Sequence, residues 1–164
     1  MIIQSQSSNS GLSNHAHWLL RGALAGVFLY HGTLKMLDLQ GFSEMLSLPV
    51  FTVFYVALAQ VGGSLLLLLG GLGRNQFFDL VTRVGAAMNI PVMAGAIALV
   101  HWGRWNFVPS QSHPLGGMEF QVVLSLIMLY LVFVGNREFS PRLETGRRDQ
   151  VRSKYYGDPA GIFL

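Results

Sequence analysis

Four ionisable side chains stand where long apolar stretches end or begin: His31 and Lys35, then His101, then Glu119. Histidine titrates near neutral pH, and a carboxylate–histidine pair can pass protons. His31 and Lys35 are one helical turn apart and within mutual reach. Gln60 and Tyr55 lie deeper, inside an apolar run, where an amide and a phenol add hydrogen-bonding capacity. Tyr30 and Asn89 extend the group inward. Ionisable residues inside apolar segments are costly to keep and mark functional sites. This donor-rich set in apolar surroundings suits a quinone head group, which needs hydrogen-bond donors and a proton relay in a site open to lipid. Haem is the disfavoured alternative: histidines on two helices can ligate iron, but nothing else in the sequence supports His31 and His101 in that role. Zinc held by two histidines and Glu119 is weaker still, because the ligand spacing is not local.

The elements that must position these residues are read from the charges. None falls between Glu44 and Arg74, between Arg83 and Arg104, or between Glu119 and Arg137, and a fourth window lies between Arg21 and Lys35. A bilayer core needs roughly 20 apolar residues per helix, so the expected fold is all-α, an integral membrane four-helix bundle. Helices are expected over about 17–37, 50–70, 80–102 and 118–134, with short connections that favour up-down-up-down order. Residues 38–49 read as a short loop, GGLGRNQ as a turn, and 102–117 as an aromatic, proline-bearing loop. Gly22 and Gly26 have the spacing that permits close helix approach. Pro91 invites a kink in the third helix. Arg21 and Lys35 lie about 21 Å apart along one helix, less than the roughly 30 Å hydrocarbon thickness, so both must snorkel outward or face protein.

Composition agrees. The 164 residues are 51% hydrophobic and 12% charged, with mean hydropathy +0.44, against about 25% charged in ordinary soluble domains. No cysteine is present, which removes disulfides and cysteine-ligated clusters from the chemistry open to this chain. The net charge of +3 does not point to nucleic acid, because its distribution is topological. Of the eleven basic residues, all but Lys35 and Arg104 fall on the side that carries both termini. The positive-inside rule then places both termini in the cytoplasm. Residues 1–16 read as a polar arm without the features of a cleaved leader, residues 17–136 as the bundle, and residues 137–164 as a basic cytoplasmic tail near the anionic membrane surface.

Arg21-Gly22 entering the first helix, His31-Gly32-x-x-Lys35 leaving it, LAQVGGSLLLLLGGLGR around Leu58–Arg74, His101-Trp102 with Phe107, and Gly116-Gly117-Met118-Glu119-Phe120 occur in a fixed order. In that order and spacing the chain resembles the DoxX family of small bacterial membrane proteins and their DoxD relatives, over residues 18–137. The resemblance implies a four-helix membrane fold in a bacterial plasma membrane. It also implies association with membrane redox systems, including thiosulfate:quinone oxidoreductase, in which related chains form a membrane subunit. One departure is Gln60, where family members often carry an acidic residue, so a proton-carrying role does not transfer to that position.

Together these readings lead to an integral subunit of a membrane redox complex, which binds quinone or supports electron delivery to it. Membrane lipid and a partner subunit are the expected partners. His31, Lys35, His101 and Glu119 would form a polar wall, with Gln60 and Tyr55 deeper. The chain offers no electron carrier of its own, so turnover would need a partner or a bound cofactor. The alternative is a structural or assembly subunit whose polar residues maintain helix register. A transporter is disfavoured by the lack of inverted repeats and paired broken helices.

Overall fold

The computed structural model describes residues 16–136. The polar arm before residue 16 and the basic tail from residue 137 lie outside the described residues. The described chain folds into five helices: α1 (His17–Leu37), α2 (Leu39–Leu46), α3 (Val50–Gly70), α4 (Gln76–Ala96) and α5 (Glu119–Val134). A π-helical turn, Ile97–His101, extends α4. No strand occurs among the described residues.

Helices α1 and α3 have the bounds expected from the charge-free windows. Helix α4 starts earlier than expected, because the Asn75 side chain accepts the backbone N–H of Phe78 at 3.1 Å. This is an N-cap, and it satisfies one of the free donors of the first turn. Two elements were not foreseen. Helix α2 occupies the segment expected as loop. Asp38 opens it by accepting from the Gly41 N–H at 2.9 Å, and Ser47 closes it in the left-handed region at φ 53°. The second is the π-turn, which follows Pro91. Proline removes one helical hydrogen bond, and π-turns in helices are frequent at functional sites.

Two helical stretches, Val50–Gly70 and Gln76–His101, are long and apolar enough to cross a membrane by length and composition. Helix α1 has the length but carries Arg21 and Lys35. Helix α5 is apolar and has 16 residues, about 24 Å. The radial arrangement is inverted relative to a soluble bundle. Leu19, Phe51, Leu65, Leu80, Leu126 and Phe133 point outward, whereas Arg21, Gln60, Ser64, Thr82 and Asn89 are buried. Leu24, Phe28, Leu67, Met93, Met128 and Leu131 fill the core between α1, α3, α4 and α5. An exterior of large apolar residues around a polar-containing core matches lipid as solvent, where interfaces use small and hydrogen-bonding residues.

The closest seam joins α3 to α4. A Cβ on Gly85 would lie 2.7 Å from the Gly63 carbonyl oxygen and 2.8 Å from the Leu67 nitrogen, and one on Gly63 would lie 2.8 Å from the Gly85 oxygen. Two backbones touch here, and any side chain would part them. Gly22 and Gly26, the pair expected to make a close approach, do not do so within this chain. Both are exposed, and a Cβ on either would meet nothing within 4 Å. Helix α1 is rotated so that Leu24, Ala25, Phe28 and Gly32 face inward instead. The spacing of glycines is legible in sequence, but the rotation of their helix is set by packing.

Candidate functional site

The residues expected to form a polar wall are positioned by three elements at one end of the bundle, away from residues 16 and 136. At the C-terminal turn of α1, the Lys35 ammonium lies 3.4 Å from the His31 carbonyl oxygen and 5.3 Å from the ring centroid of Phe42 on α2. The His31 side chain is exposed, edge-on to Tyr30 at 5.4 Å. The π-turn buries His101, whose Nδ1 sits 2.8 Å from the Gly116 carbonyl. A carbonyl can only accept, so Nδ1 carries the proton and Nε2 is the atom left for a ligand. Gly116 itself is at φ +82°, with a Cβ position that would collide with the Phe107 carbonyl, so glycine is required for this carbonyl to reach the histidine. Glu119 is half-buried in the first turn of α5.

Among the described residues, no hydrogen bond or ion pair joins the side chains of these four. Lys35 and Glu119 are not paired; the ion pair that does form is Arg83 with Asp79 at 2.8 Å, one turn apart on α4. Lys35 and His101 instead have local hydrogen-bond partners, and His31 has its edge-on contact with Tyr30. Tyr55 is 63% exposed and lies against Phe54 on the outer face of α3, so it faces away from the bundle interior. Gln60, by contrast, is only 3% exposed.

Gln60 is buried where α3 meets α1: a Cβ on Gly32 would lie 2.9 Å from the Gln60 Cβ. Its Oε1 is buried without a hydrogen-bond partner, and so is Oδ1 of Asn89, a residue with no exposed surface. The Asn89 amide nitrogen reaches only the Gly85 carbonyl, at 3.5 Å. A Cβ on Gly63, one turn beyond Gln60, would run into Asn89, which puts the Asn89 amide in the α3–α4 seam. The buried Ser64 hydroxyl donates to the Gln60 backbone carbonyl at 2.7 Å, one turn back on the same helix. An unpaired buried acceptor costs about 1–3 kcal/mol, and native proteins seldom leave one without a reason. Gln121 Oε1 on α5 is a third buried amide oxygen without a hydrogen-bond partner among the described residues.

At the opposite end lies an assembly that sequence reasoning did not resolve. Arg21 has no exposed surface. Its Nε donates to His17 Nδ1 at 3.1 Å, Nη1 to the Leu67 carbonyl at 2.7 Å and to Thr82 Oγ1 at 3.0 Å, and Nη2 to Asn136 Oδ1 at 2.6 Å. Asn136 in turn donates its amide to the carbonyls of Gly70 (2.8 Å) and Gly73 (3.0 Å), and its backbone N–H to Asp79 at 2.6 Å. Arg83 clamps the end of α5 by donating to the carbonyls of Val132, Phe133 and Val134. A guanidinium presents five donors in a fixed fork, and here the fork stitches α1, α3 and α4 to the residue after α5. Arg21 was expected either to snorkel or to face protein, and it faces protein. Its partners Thr82 and Asn136 were not singled out. The available signal was a polar residue at the end of each neighbouring apolar window, at the same expected level as Arg21.

No curated protein and no solved structure gives a significant match to the chain. The family model for DoxX matches residues 16–102, more than half of the sequence. That match begins at the arginine-bearing helix and ends at the π-turn, so it includes His31, Lys35, Gln60, Asn89 and His101 and stops short of Glu119. The helical bundle with its apolar exterior is what a small membrane protein requires, and the matched segment contains both helical stretches long enough to span. The chain belongs to the DoxX family.

Proposed function

We propose that this chain is an integral subunit of a membrane redox complex that binds a quinone head group, or supports electron delivery to one, with four spans and both termini on the cytoplasmic side of a bacterial plasma membrane. The observation that carries this reading is the pair of donor-less oxygens at Gln60 and Asn89 inside an apolar bundle. A side-chain amide offers a carbonyl acceptor and an NH2 donor on one planar group. Rotation about the terminal bond presents either face, so one amide can hold the carbonyl of a quinone or the hydroxyl of its reduced form. When bound, the quinone would supply the two-electron chemistry. The chain's own residues would hold the ring, keep water out and bring protons to the seam from His101 and Glu119. His31 and Lys35 would stand on the outer rim, and Tyr55 would meet a ligand only from the lipid side.

The test is the quinone content of protein purified in mild detergent, for the parent and for a Gln60→Met, Asn89→Leu double variant. The parent is expected to retain quinone through purification, and the variant to lose at least about 90% of it. Replacing both buried amides by apolar groups of similar size removes unpaired acceptors, a change that is neutral or stabilising. The variant should therefore melt at or above the temperature of the parent. A parent that carries no quinone, or a variant that retains it, would overturn the reading.

A second reading, a structural subunit that braces a larger complex, is favoured by the Arg21 assembly, which is internally satisfied and leaves no atom for chemistry. Deleting residues 137–164 separates the two. Loss of co-purifying partner proteins with unchanged quinone content supports the bracing role, whereas loss of quinone with partners intact supports the binding role.

A further inference from the structure

A half-open pocket of about 350 Å³ lies at the loop end of the bundle, lined by Met45 of α2, Val100 of the π-turn, and Ser112, His113, Pro114 and Leu115 of the connection to α5; Met45, Ser112, Pro114 and Leu115 form its exposed rim. None of these residues belongs to the interior amide site. The connection is firmly built. Ser110 and His113 exchange backbone hydrogen bonds at 3.0 and 3.2 Å, Gly116 N–H donates to the His113 carbonyl at 3.0 Å, and Met118 N–H to the Arg104 carbonyl at 2.9 Å. The cavity walls are therefore preformed, which lowers the ordering cost of binding.

The polar edge of the cavity has a defined hydrogen-bond polarity. His113 Nε2 is 2.9 Å from the Trp102 carbonyl. The carbonyl has no proton to give, so Nε2–H donates, and the neutral ring leaves Nδ1 as an acceptor. Nδ1 is 3.1 Å from Ser112 Oγ, so the Ser112 hydroxyl donates to it. With that proton committed, the 3.4 Å contact between Ser110 Oγ and Ser112 Oγ is made by the Ser110 hydroxyl. One lone pair of Ser112 Oγ then remains, and the Trp102–His113–Ser112 relay makes that oxygen an acceptor. The remaining walls (Met45, Val100, Pro114, Leu115) are apolar, and the methionine thioether packs well against aromatic edges.

We propose that this cavity binds an aromatic ring that carries a hydroxyl donor, such as a phenol or hydroquinone, with the hydroxyl donating to Ser112. The pocket is half open, so a substituted ring can enter it from outside with its hydroxyl toward Ser112. The site rests on the quinone-linked reading only for the choice of hydroquinone as probe.

The experiment is saturation-transfer NMR on the detergent-solubilised full chain, with methylhydroquinone kept anaerobic and toluene as the hydroxyl-free control. Methylhydroquinone is expected to bind, and toluene about fivefold more weakly, the worth of one hydrogen bond of about 1 kcal/mol. Ser112→Ala should weaken methylhydroquinone binding about fivefold and leave toluene unaffected. Leu115→Trp, which fills the cavity, should abolish both, with unchanged size-exclusion profiles confirming that the variants fold. Because the interior amides of the proposed function would also take a hydroquinone, all of these arms are read in the Gln60→Met, Asn89→Leu background, where methylhydroquinone binding at Ser112 should persist. Equal binding of toluene, indifference to Ser112→Ala, or loss of binding in the interior double variant would each overturn the proposal. Failure of the interior reading by quinone content leaves these outcomes unaffected.

Discussion

Asn136→Leu lowers the melting temperature of the detergent-solubilised protein by about 10 °C or more, the expected result of about 3–5 kcal/mol of lost stability. The magnitude follows from the partners left behind. Arg21 Nη2 loses its 2.6 Å acceptor in a region with no exposed surface, and the carbonyls of Gly70 and Gly73 lose their amide donor. A hydrogen bond to a charged group is worth about 1.5–3 kcal/mol, and each newly unpaired buried group adds about 1–3 kcal/mol. Leucine is close in volume, so the loss is not one of packing. Asn136→Asp, which keeps an acceptor for Arg21 but drops both donors, should fall between the parent and leucine. A leucine variant that melts within about 2 °C of the parent, less than the shift that 1 kcal/mol produces in a domain of this size, would show that the guanidinium finds other partners and that the assembly has little weight.

Gly85→Leu prevents α3 and α4 from reaching their native separation, and a severe loss of monodisperse protein is expected. The first atom of the new side chain would fall 2.7 Å from the Gly63 oxygen, 2.8 Å from the Leu67 nitrogen and 2.9 Å from the Leu66 Cβ. Two of these three contacts are backbone and cannot rotate away. Overpacking a tight core typically costs about 1–3 kcal/mol and sometimes more, and the separation of the helices would also unseat Asn89. Gly95→Ala on the same helix is the matched control. A Cβ there meets nothing within 4 Å, and alanine gains about 0.5–1 kcal/mol over glycine in a helix. The two glycines are ten residues apart on α4 and should give opposite signs in a thermal unfolding assay. Equal behaviour would mean that the α3–α4 seam is looser than the contact distances require.

The contrast between these glycines also marks what could be read without coordinates. Charge-free windows located the four long helices, because an unbalanced charge in apolar surroundings is costly wherever the helix points. The ranges of about 17–37 and 50–70 read from the sequence coincide with α1 and α3. Rotation about each helix axis was not legible, since it depends on which partners are available on neighbouring helices. Gln60 and Tyr55 lie five residues apart on α3 and face opposite ways, one inward and one outward. Arg21 and Lys35 sit fourteen residues apart on α1, and the first is enclosed while the second reaches over Phe42. Gly22 and Gly26 had a recognised spacing and face nothing in this chain, whereas Gly63 and Gly85, on different helices, form the tight contact. Helix α2 escaped detection for a local reason. Most of its eight residues are good helix formers, but a segment this short is not stable as an isolated helix, and it is fixed by the Asp38 cap and by the Ser43 hydroxyl, which donates to the Leu48 carbonyl at 2.6 Å.

The distance in sequence between Arg21 and its last partner has a consequence for synthesis. Asn136 lies 115 positions downstream, so the guanidinium is translated, and its helix delivered to the bilayer, well before the atom that completes its shell exists. Until then the guanidinium has His17 on its own helix and, once α3 and α4 exist, Leu67 and Thr82, but Nη2 lacks its acceptor. Arrival of the segment after α5 completes the shell. Chains stopped short of residue 136 would keep an incompletely bonded cation, a visible flag by which quality-control proteases could tell an unfinished bundle from a finished one.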